Sequence, residues 1–292
     1  MRLKTLREGE AVLFTLPALV PLLIFWLGPL GYIVYLSFTE WDFMSPEKLF
    51  VGLDNYTYLL THADFYQALK VTLTFGLGTV VPIIVGGLAL ALLMNSKLRS
   101  TGLFRAMMFS PWVTPTVAVS IAWSWIFEPD VGLANLALGW LGLSPVGWLQ
   151  DPNWALAAVM IVTIWKSIGW SMVFYLVALR NLPADLLEAA SIDGAGGWDK
   201  FRGITLPLIS PTTLFLSIIL TIQSLQAYDQ INVMTQGGPA GSTRTLLYMY
   251  YQSAFETFNV GEASAIAVII ILICVLLSGL SFLLSRRLVH YS

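Results

Sequence analysis

The chain has 292 residues, 57% of them hydrophobic and only 11% charged, with a formal net charge of −2 and a mean hydropathy of +0.76. A soluble domain carries roughly 25% charged residues, so this composition excludes an ordinary water-soluble globule. The net charge gives no sign of a nucleic-acid partner; where the charges fall along the chain is more informative.

A helix crosses the hydrocarbon core with about 20 mainly apolar residues. Six runs reach that length: Ala11–Leu36, Val71–Met94, Ala106–Phe127, Ala155–Leu179, Leu206–Ala227 and Ala263–Leu284. The first follows a basic start (Arg2, Lys4, Arg7). It is too long for a secretory signal and no small-residue cleavage pattern follows it, so it is expected to be a retained helix. The link Thr39–Lys70 leads to the second run, and the short link Asn95–Arg105 to the third. Between the third and fourth, Glu128–Trp154 holds the apolar stretch Val131–Leu143, too short to span. The fourth run alone contains a charge, Lys166. A long link, Arg180–Thr205, precedes the fifth run, and Tyr228–Glu262 precedes the sixth. Within that last link the stretch Leu246–Phe258 is rich in aromatics, as suits either a membrane surface or packing against neighbouring helices. The expected fold is all-α: a polytopic membrane protein with six transmembrane helices in a single integral domain, 1–292.

Basic residues orient the chain. Arg2, Lys4, Arg7, Lys97, Arg99, Arg105, Arg180, Lys200, Arg202, Arg286 and Arg287 fall on one side, while Lys48, Lys70 and Arg244 fall on the other. The positive-inside rule places both termini in the cytoplasm, as an even number of spans requires. Prolines in or near the runs (Pro17, Pro21, Pro29, Pro82, Pro111, Pro115, Pro207, Pro211) each remove a helix hydrogen bond, and predict kinks or breaks.

Chemistry is scarce. One cysteine, Cys274, and two distant histidines, His62 and His290, predict neither a disulfide framework nor a metal centre. No GxxxxGK[ST] loop is present, so ATP is not bound that way. Gly169-Trp170-Ser171-Met172-Val173 lacks the final glycine of a nucleophile elbow, and Gly76-Leu77-Gly78 lacks the rest of a dinucleotide fingerprint. No catalytic residue is expected.

The long link reads as a helix, a glycine turn and a second helix. Pro183 suits a first turn, Asp185 and Glu188 complement the helix dipole, and Gly194 is placed to end the helix in a left-handed conformation. Leu182, Leu186 and Ala190 fall four apart and form one apolar strip. A second short helix is expected from Trp198. By itself this could be a plain connector.

Glu188, Ala189, Ala190, Gly194, Ile204, Leu206 and Pro207 stand at the spacing Glu-Ala-Ala, three residues, Gly, nine residues, Ile, one residue, Leu-Pro. In this the sequence resembles the permeases of binding-protein-dependent ABC importers. Asp193-Gly194-Ala195 narrows the resemblance to the maltose-type carbohydrate permeases, which include glycerol-phosphate importers. Tyr228-Asp229, Val233-Met234-Thr235-Gln236-Gly237-Gly238-Pro239 and Thr243 look like the external segment of the first of two paired permeases. Pro111, Trp123, Phe127, Pro129, Gly132 and Asn135 fit the same pattern around the third run. The resemblance covers nearly the whole chain, which is expected to present the six-helix minimum, whereas the best-known maltose permease carries extra N-terminal helices and a large external domain.

The resemblance implies a type I ABC importer permease fold. It implies a non-catalytic subunit, with ATP and Mg bound by two partner ATPase subunits, a second homologous permease and an extracytoplasmic solute-binding protein, in an inner membrane. Residues 180–205 become the coupling loop. Glu188 would anchor it by polar contact, Ala189 and Ala190 would permit close approach and Gly194 would supply the turn, with Asp193 a further residue of the same ATPase-coupling set.

A charge at mid-span is costly, so Lys166 should face a cavity or a partner. It would contact the solute or pair with an acidic group. Gln223, Gln226, Tyr228 and Asp229 cluster at the external end of the fifth run, and Trp123 and Trp125 offer sugar-stacking faces or interfacial anchors. The rival reading is an ion-coupled secondary transporter, which predicts acidic residues inside the spans and repeat symmetry; no acidic residue lies well inside a span.

Overall fold

The computed structural model describes residues 2–95 and 101–288. In chain order its helices are α1 (Arg2–Leu22), α2 (Gly28–Leu36), α3 (Asp54–Thr61), α4 (Ala63–Met94), α5 (Thr101–Val113), α6 (Thr116–Ile126), α7 (Leu133–Trp140) and α8 (Ala155–Arg180). There follow α9 (Ala184–Ile192), α10 (Gly197–Lys200), α11 (Leu206–Leu208), α12 (Ser210–Leu225), α13 (Asp229–Met234), α14 (Leu246–Tyr251) and α15 (Val260–Leu288). Single π-helical turns join α1 to α2, join α10 to α11 and extend α14. Of the basic residues used for orientation, Lys97 and Arg99 lie outside the described residues, as do the side chains of Arg2, Lys4, Arg7, Arg286 and Arg287; His290 lies outside them too.

Among the described residues, four helical stretches are long and apolar enough to cross a membrane: Val12–Leu36, Ala63–Met94, Ala155–Arg180 and Val260–Leu283. The fifth expected span is a bent pair, Gly197–Leu208 and Ser210–Leu225, at 61°. The third, expected as one run over 106–127, is divided between α5 and α6 by Thr114 and Pro115. The second helix expected from Trp198 is likewise not separate, because α10 runs through its π turn into α11. Each of the six expected runs therefore has a helical counterpart, and two of them are broken.

The breaks follow from proline chemistry. A proline has no N–H, so the carbonyl four residues earlier loses its donor. For Pro111 that carbonyl belongs to Met107, and the Ser110 hydroxyl donates to it at 3.0 Å. For Pro211 it belongs to Pro207, and the Ser210 hydroxyl donates at 2.6 Å. The same Ser-Pro device thus serves both broken spans, although Pro111, like Pro17, Pro21 and Pro82, is itself carried inside a helix and the third span breaks at Thr114 and Pro115.

The chain divides into two compact units. In the first, residues 1–62 and 249–269, a small hairpin pairs β1 (Thr39–Glu40) with β2 (Leu49–Phe50) in antiparallel register. Asn55 Nδ2 on α3 donates to the carbonyls of Ser37 (3.0 Å) and Thr39 (2.9 Å). The Val260 N–H donates to Trp41 O at 2.9 Å, and the start of α15 approaches Thr39 O so closely at Gly261 that a Cβ there would collide with it.

In the second unit, residues 63–248 and 270–292, α4 and α8 run side by side in the same direction. Gly78 lies against Met160, Gly86 against Ile168 and Gly87 against Ser171. Small residues let helix backbones meet where no hydrophobic drive separates helix from lipid. Gly169 does the same for α5, whose backbone at Met108 occupies the space a Cβ would fill. Below this contact Ile83, Met172, Tyr175, Leu179, Ile209 and Leu216 form a core shared by α4, α8 and α12. The buried Tyr175 hydroxyl donates to Thr213 Oγ1 at 3.0 Å, which satisfies it without water.

Candidate functional site: a half-buried lysine in a mid-span cavity

Lys166 lies half-buried on α8, and its Nζ donates to the backbone carbonyl of Trp112 at 3.1 Å. Trp112 stands in the last turn of α5, where helix carbonyls lack intrahelical donors. A cation at a helix C-terminus is also favoured by the macrodipole. Lys166 therefore caps the break in the third span, and its ammonium sits 5.4 Å from the centroid of the Trp112 ring. No carboxylate lies within ion-pair distance of it among the described residues, where Arg244 to Asp64 (3.2 Å) is an ion pair. Asp229 is the acidic group whose field reaches it. The lysine thus faces a cavity, as its cost in the span requires, with a backbone carbonyl rather than an acidic side chain as its direct partner.

The cavity, about 290 Å³, is lined by α4, α8 and α12 together with the two helices at the broken third span and α13. Its polar lining includes Lys166, Thr163, Ser167, Gln223 and Gln230, with the hydroxyls of Thr79, Thr116 and Ser224, and Trp112 supplies an aromatic face. Apolar walls with a few convergent polar groups are the usual make-up of a small-molecule site, and the volume lies at the small end of the range for such pockets. Gln230 Nε2 donates to Thr163 Oγ1 at 3.4 Å and so ties α13 to α8 across one wall.

Of the residues singled out in the sequence, Lys166 and Gln223 line this cavity. The others do not. Trp123 packs between Phe127 (5.2 Å) and Trp165 (5.5 Å), and Trp125 is 74% exposed on α6. Gln226 is the exposed residue that ends α12, and Asp229 opens α13. Tyr228 stacks on Tyr248 at 6.1 Å, and the Tyr248 ring in turn occupies the space beside Gly237. The segment Val233–Thr243 is a structural knot: Thr235 and Thr243 join hydroxyls at 2.7 Å and Thr243 donates to Gly238 O at 2.8 Å.

Thr163, Ser167 and Trp112 were not singled out. Thr163 shares a helix face with Lys166, three residues on, and with Ser167, four residues on, a signal present in the sequence. Trp112 and Gln230 arrive from other elements, and no local pattern marks them.

The link after α8 is the second candidate site. Gly194 adopts φ +80°; its N–H donates to Ser191 O (3.2 Å) and that of Ala195 to Ala190 O (2.9 Å). This pair of bonds is a Schellman ending, which needs a left-handed residue and so glycine. Lys200 Nζ donates to Ser191 Oγ at 2.7 Å, and Asp199 Oδ2 accepts from the Gly196 N–H at 3.1 Å, fixing α10 to the turn. Of the apolar strip, Leu182 packs on the core whereas Leu186 stays exposed. Ile192 is 87% exposed and Trp198 69%. Glu188, Ala189, Asp193 and Gly194 are exposed and Ala190 is half-buried. No hydrogen bond or ion pair holds the Glu188 carboxylate among the described residues.

Residues 78–290 match the family of binding-protein-dependent transport system inner membrane components. The chain is 37% identical over 292 residues to the lactose transport system permease protein LacF of Rhizobium radiobacter, covering 98% of this chain and 97% of that one. It is 36% identical over 267 residues to the trehalose/maltose transport system permease protein MalF of Thermococcus litoralis, covering 90% and 89%. Its fold is that of a chain in the crystal structure of a bacterial ABC transporter that imports the acidic polysaccharide alginate, with a TM-score of 0.83 over 99% of this chain and 100% of that one at 24% identity. The chain belongs to the binding-protein-dependent transport system inner membrane component family, and it is a permease subunit of an ABC importer.

Proposed function

We propose that this permease imports a sugar or a related solute, an oligosaccharide, polyol or glycerol phosphate, handed to it by an extracytoplasmic binding protein. The observation that carries this reading is the mid-span cavity, where Lys166, Gln223 and Thr163 set hydrogen-bonding groups beside the face of Trp112. Hydroxyl edges need donors and acceptors, and the apolar C–H face of a sugar ring needs an aromatic surface. Relatives named for lactose and for trehalose and maltose support the same class.

In this reading the chain is one transmembrane domain paired with a second homologous permease and two ATPase subunits that bind ATP and Mg. The loop over residues 180–205 faces the cytoplasm, as do both termini; Arg180, Lys200 and Arg202 around it support that orientation. Its free Glu188 carboxylate and the exposed Leu186, Ile192 and Trp198 form the surface that an ATPase subunit covers, with Ala189, Ala190, Asp193 and Gly194 shaping the turn beneath.

The test is purification of the chain from its native membranes in mild detergent, with identification of co-purifying proteins and an ATPase assay. Recovery of an ATPase and a second permease is expected. Recovery of the chain alone, with uptake driven by an ion gradient, would overturn the reading in favour of a secondary transporter.

A further inference from the structure

The cavity around Lys166 is not isolated. Trp112 on its wall stacks on Trp170 at 5.1 Å with the planes 24° apart. Trp170 meets Phe174 one turn along α8 at 4.6 Å, and Phe174 meets Phe215 on α12 at 5.4 Å. Phe174 and Phe215 in turn line a second groove of about 510 Å³ between α8 and α12, whose far rim carries Asn181 and Thr212. An unbroken chain of four rings therefore connects two cavities. The rings are not sealed in a core: Trp112, Trp170 and Phe174 are partly exposed and Phe215 is 45% exposed.

The helix spacing makes this one continuous face. Thr163, Lys166, Trp170, Phe174 and Val177 on α8, and Asn181 at its C-terminal cap, follow one another at intervals of three and four residues, which is a single stripe on a helix. At about 1.5 Å per residue the stripe is roughly 27 Å long, close to the roughly 30 Å of a bilayer's hydrocarbon core. It is polar at both ends and aromatic in the middle. A face made only for lipid has no use for a line of partly exposed ring faces leading away from a polar cavity.

We propose that this stripe is the solute path beyond the central cavity, and that the groove at Phe174 and Phe215 is a second station, holding the apolar face of a pyranose ring. The inference rests on the sugar-importer reading for the identity of the solute, though not for the existence of the path. A sugar leaving Lys166 and Gln223 exchanges hydrogen bonds for ring contact on Trp170 and Phe174, and regains polar partners at Asn181 and Thr212. Weak successive sites suit transport, because a single tight site would hold the solute rather than release it.

The test has two arms in the assembled transporter, both in a Cys274→Ser background. In inside-out vesicles, Val177→Cys and Thr212→Cys are expected to react with a charged methanethiosulfonate at least about tenfold faster than Val275→Cys, on the exposed apolar surface of α15. Reaction no faster than that control would overturn the path, whether lipid or another subunit covers the groove. In proteoliposomes with the binding protein and ATP, Phe174→Leu and Phe215→Leu are expected to lower uptake of maltose, trehalose or lactose at least fivefold, and Phe174→Tyr to restore it. Wild-type uptake by both leucine variants would overturn the second station. A wild-type transporter that takes up none of the three sugars would exclude these disaccharides as its solute without touching the wider class, and the thiol arm would still support or overturn the path.

Discussion

The Lys166 ammonium lies 3.1 Å from the carbonyl oxygen of Trp112, where the third span breaks. A charge in the middle of a span and a helix end in the middle of a span are each unfavourable in hydrocarbon. Together they offset one another, because the cation satisfies the carbonyl and the helix end stabilises the cation. The lysine thereby also fixes Trp112, the aromatic wall of the cavity.

Lys166→Met removes that donor while keeping most of the side-chain volume. Leaving a partly buried carbonyl unpaired costs up to about 1–3 kcal/mol, so the purified complex is expected to melt at a lower temperature. Uptake is expected to fall to about a tenth or less, with partial recovery in Lys166→Arg, which retains donors and charge. Normal uptake by the methionine variant would remove Lys166 from the path.

Gly194 stands at φ +80° with nothing within 4 Å of a would-be Cβ. Gly194→Ala therefore meets no clash, and its cost is the left-handed backbone alone, about 1–2 kcal/mol. That is enough to reshape an exposed turn, yet too local to prevent insertion. The expected result for Gly194→Ala, and for Glu188→Ala, is normal expression with ATP hydrolysis no longer coupled to uptake, measured by the ratio of the two rates. Wild-type coupling in both would count against residues 180–205 as the ATPase contact.

Gly169 gives the opposite case. A Cβ there falls on the backbone of Met108 in α5, and a backbone cannot turn aside as a flexible side chain can. Gly169→Ala is expected to destabilise by about 1–3 kcal/mol, the usual range for overpacking. Thermal unfolding of the detergent-solubilised protein measures it. Gly139→Ala on α7, where a Cβ meets nothing within 4 Å, is the control and is expected to unfold as the wild type does.

Asp42, in the loop between β1 and β2, accepts backbone hydrogen bonds from Ser45 (2.7 Å) and Met44 (3.0 Å). These bonds, that from Ser45 above all, hold its carboxyl below the ordinary carboxylate value. A depressed folded value means that the loop's stabilisation is fully present above the unfolded value of about 3.9. It is lost as pH falls through the lower folded value. The Trp41 indole donates to Ser45 O at 2.9 Å in the same turn, so Trp41 fluorescence in a variant with the other tryptophans replaced near the loop reports on it. The signal is expected to stay flat from neutral pH to about 4 and to change only below, and to have changed already at neutral pH in Asp42→Asn.

Much of this was legible in the sequence because lipid is a demanding solvent. A span must be long, apolar and internally hydrogen-bonded, so the stretches around Ala155–Arg180 and Val260–Leu283 show plainly in composition alone. The turn at Gly194 was equally legible, since a Schellman ending needs glycine at one position and the neighbouring bonds are local. The prolines announced breaks without saying which would form: Pro82 and Pro111 are carried inside α4 and α5, whereas the third span divides at Thr114-Pro115 and the fifth between Pro207 and Pro211.

The cavity was legible only in part. Lys166 stood out because its charge is costly in a span, and Gln223 because polar groups are rare there. Gln226, Tyr228 and Asp229 had the same appearance in sequence, yet α12 ends at Leu225 and the chain turns, so the next residue to reach the cavity is Gln230. Trp123 and Trp125 were as plausible as Trp112 by residue type. Which tryptophan met Lys166 depended on where the third span broke and how closely Gly169 let α5 approach α8.

Membrane class, apolar runs, exposed turn and family can be read along the chain, because each depends on composition or on spacing within one segment. Which carbonyl caps Lys166, which ring lines the cavity and how four rings join it to a second groove cannot. Those are relations between helices, set by how closely their backbones pack, and no single segment carries them.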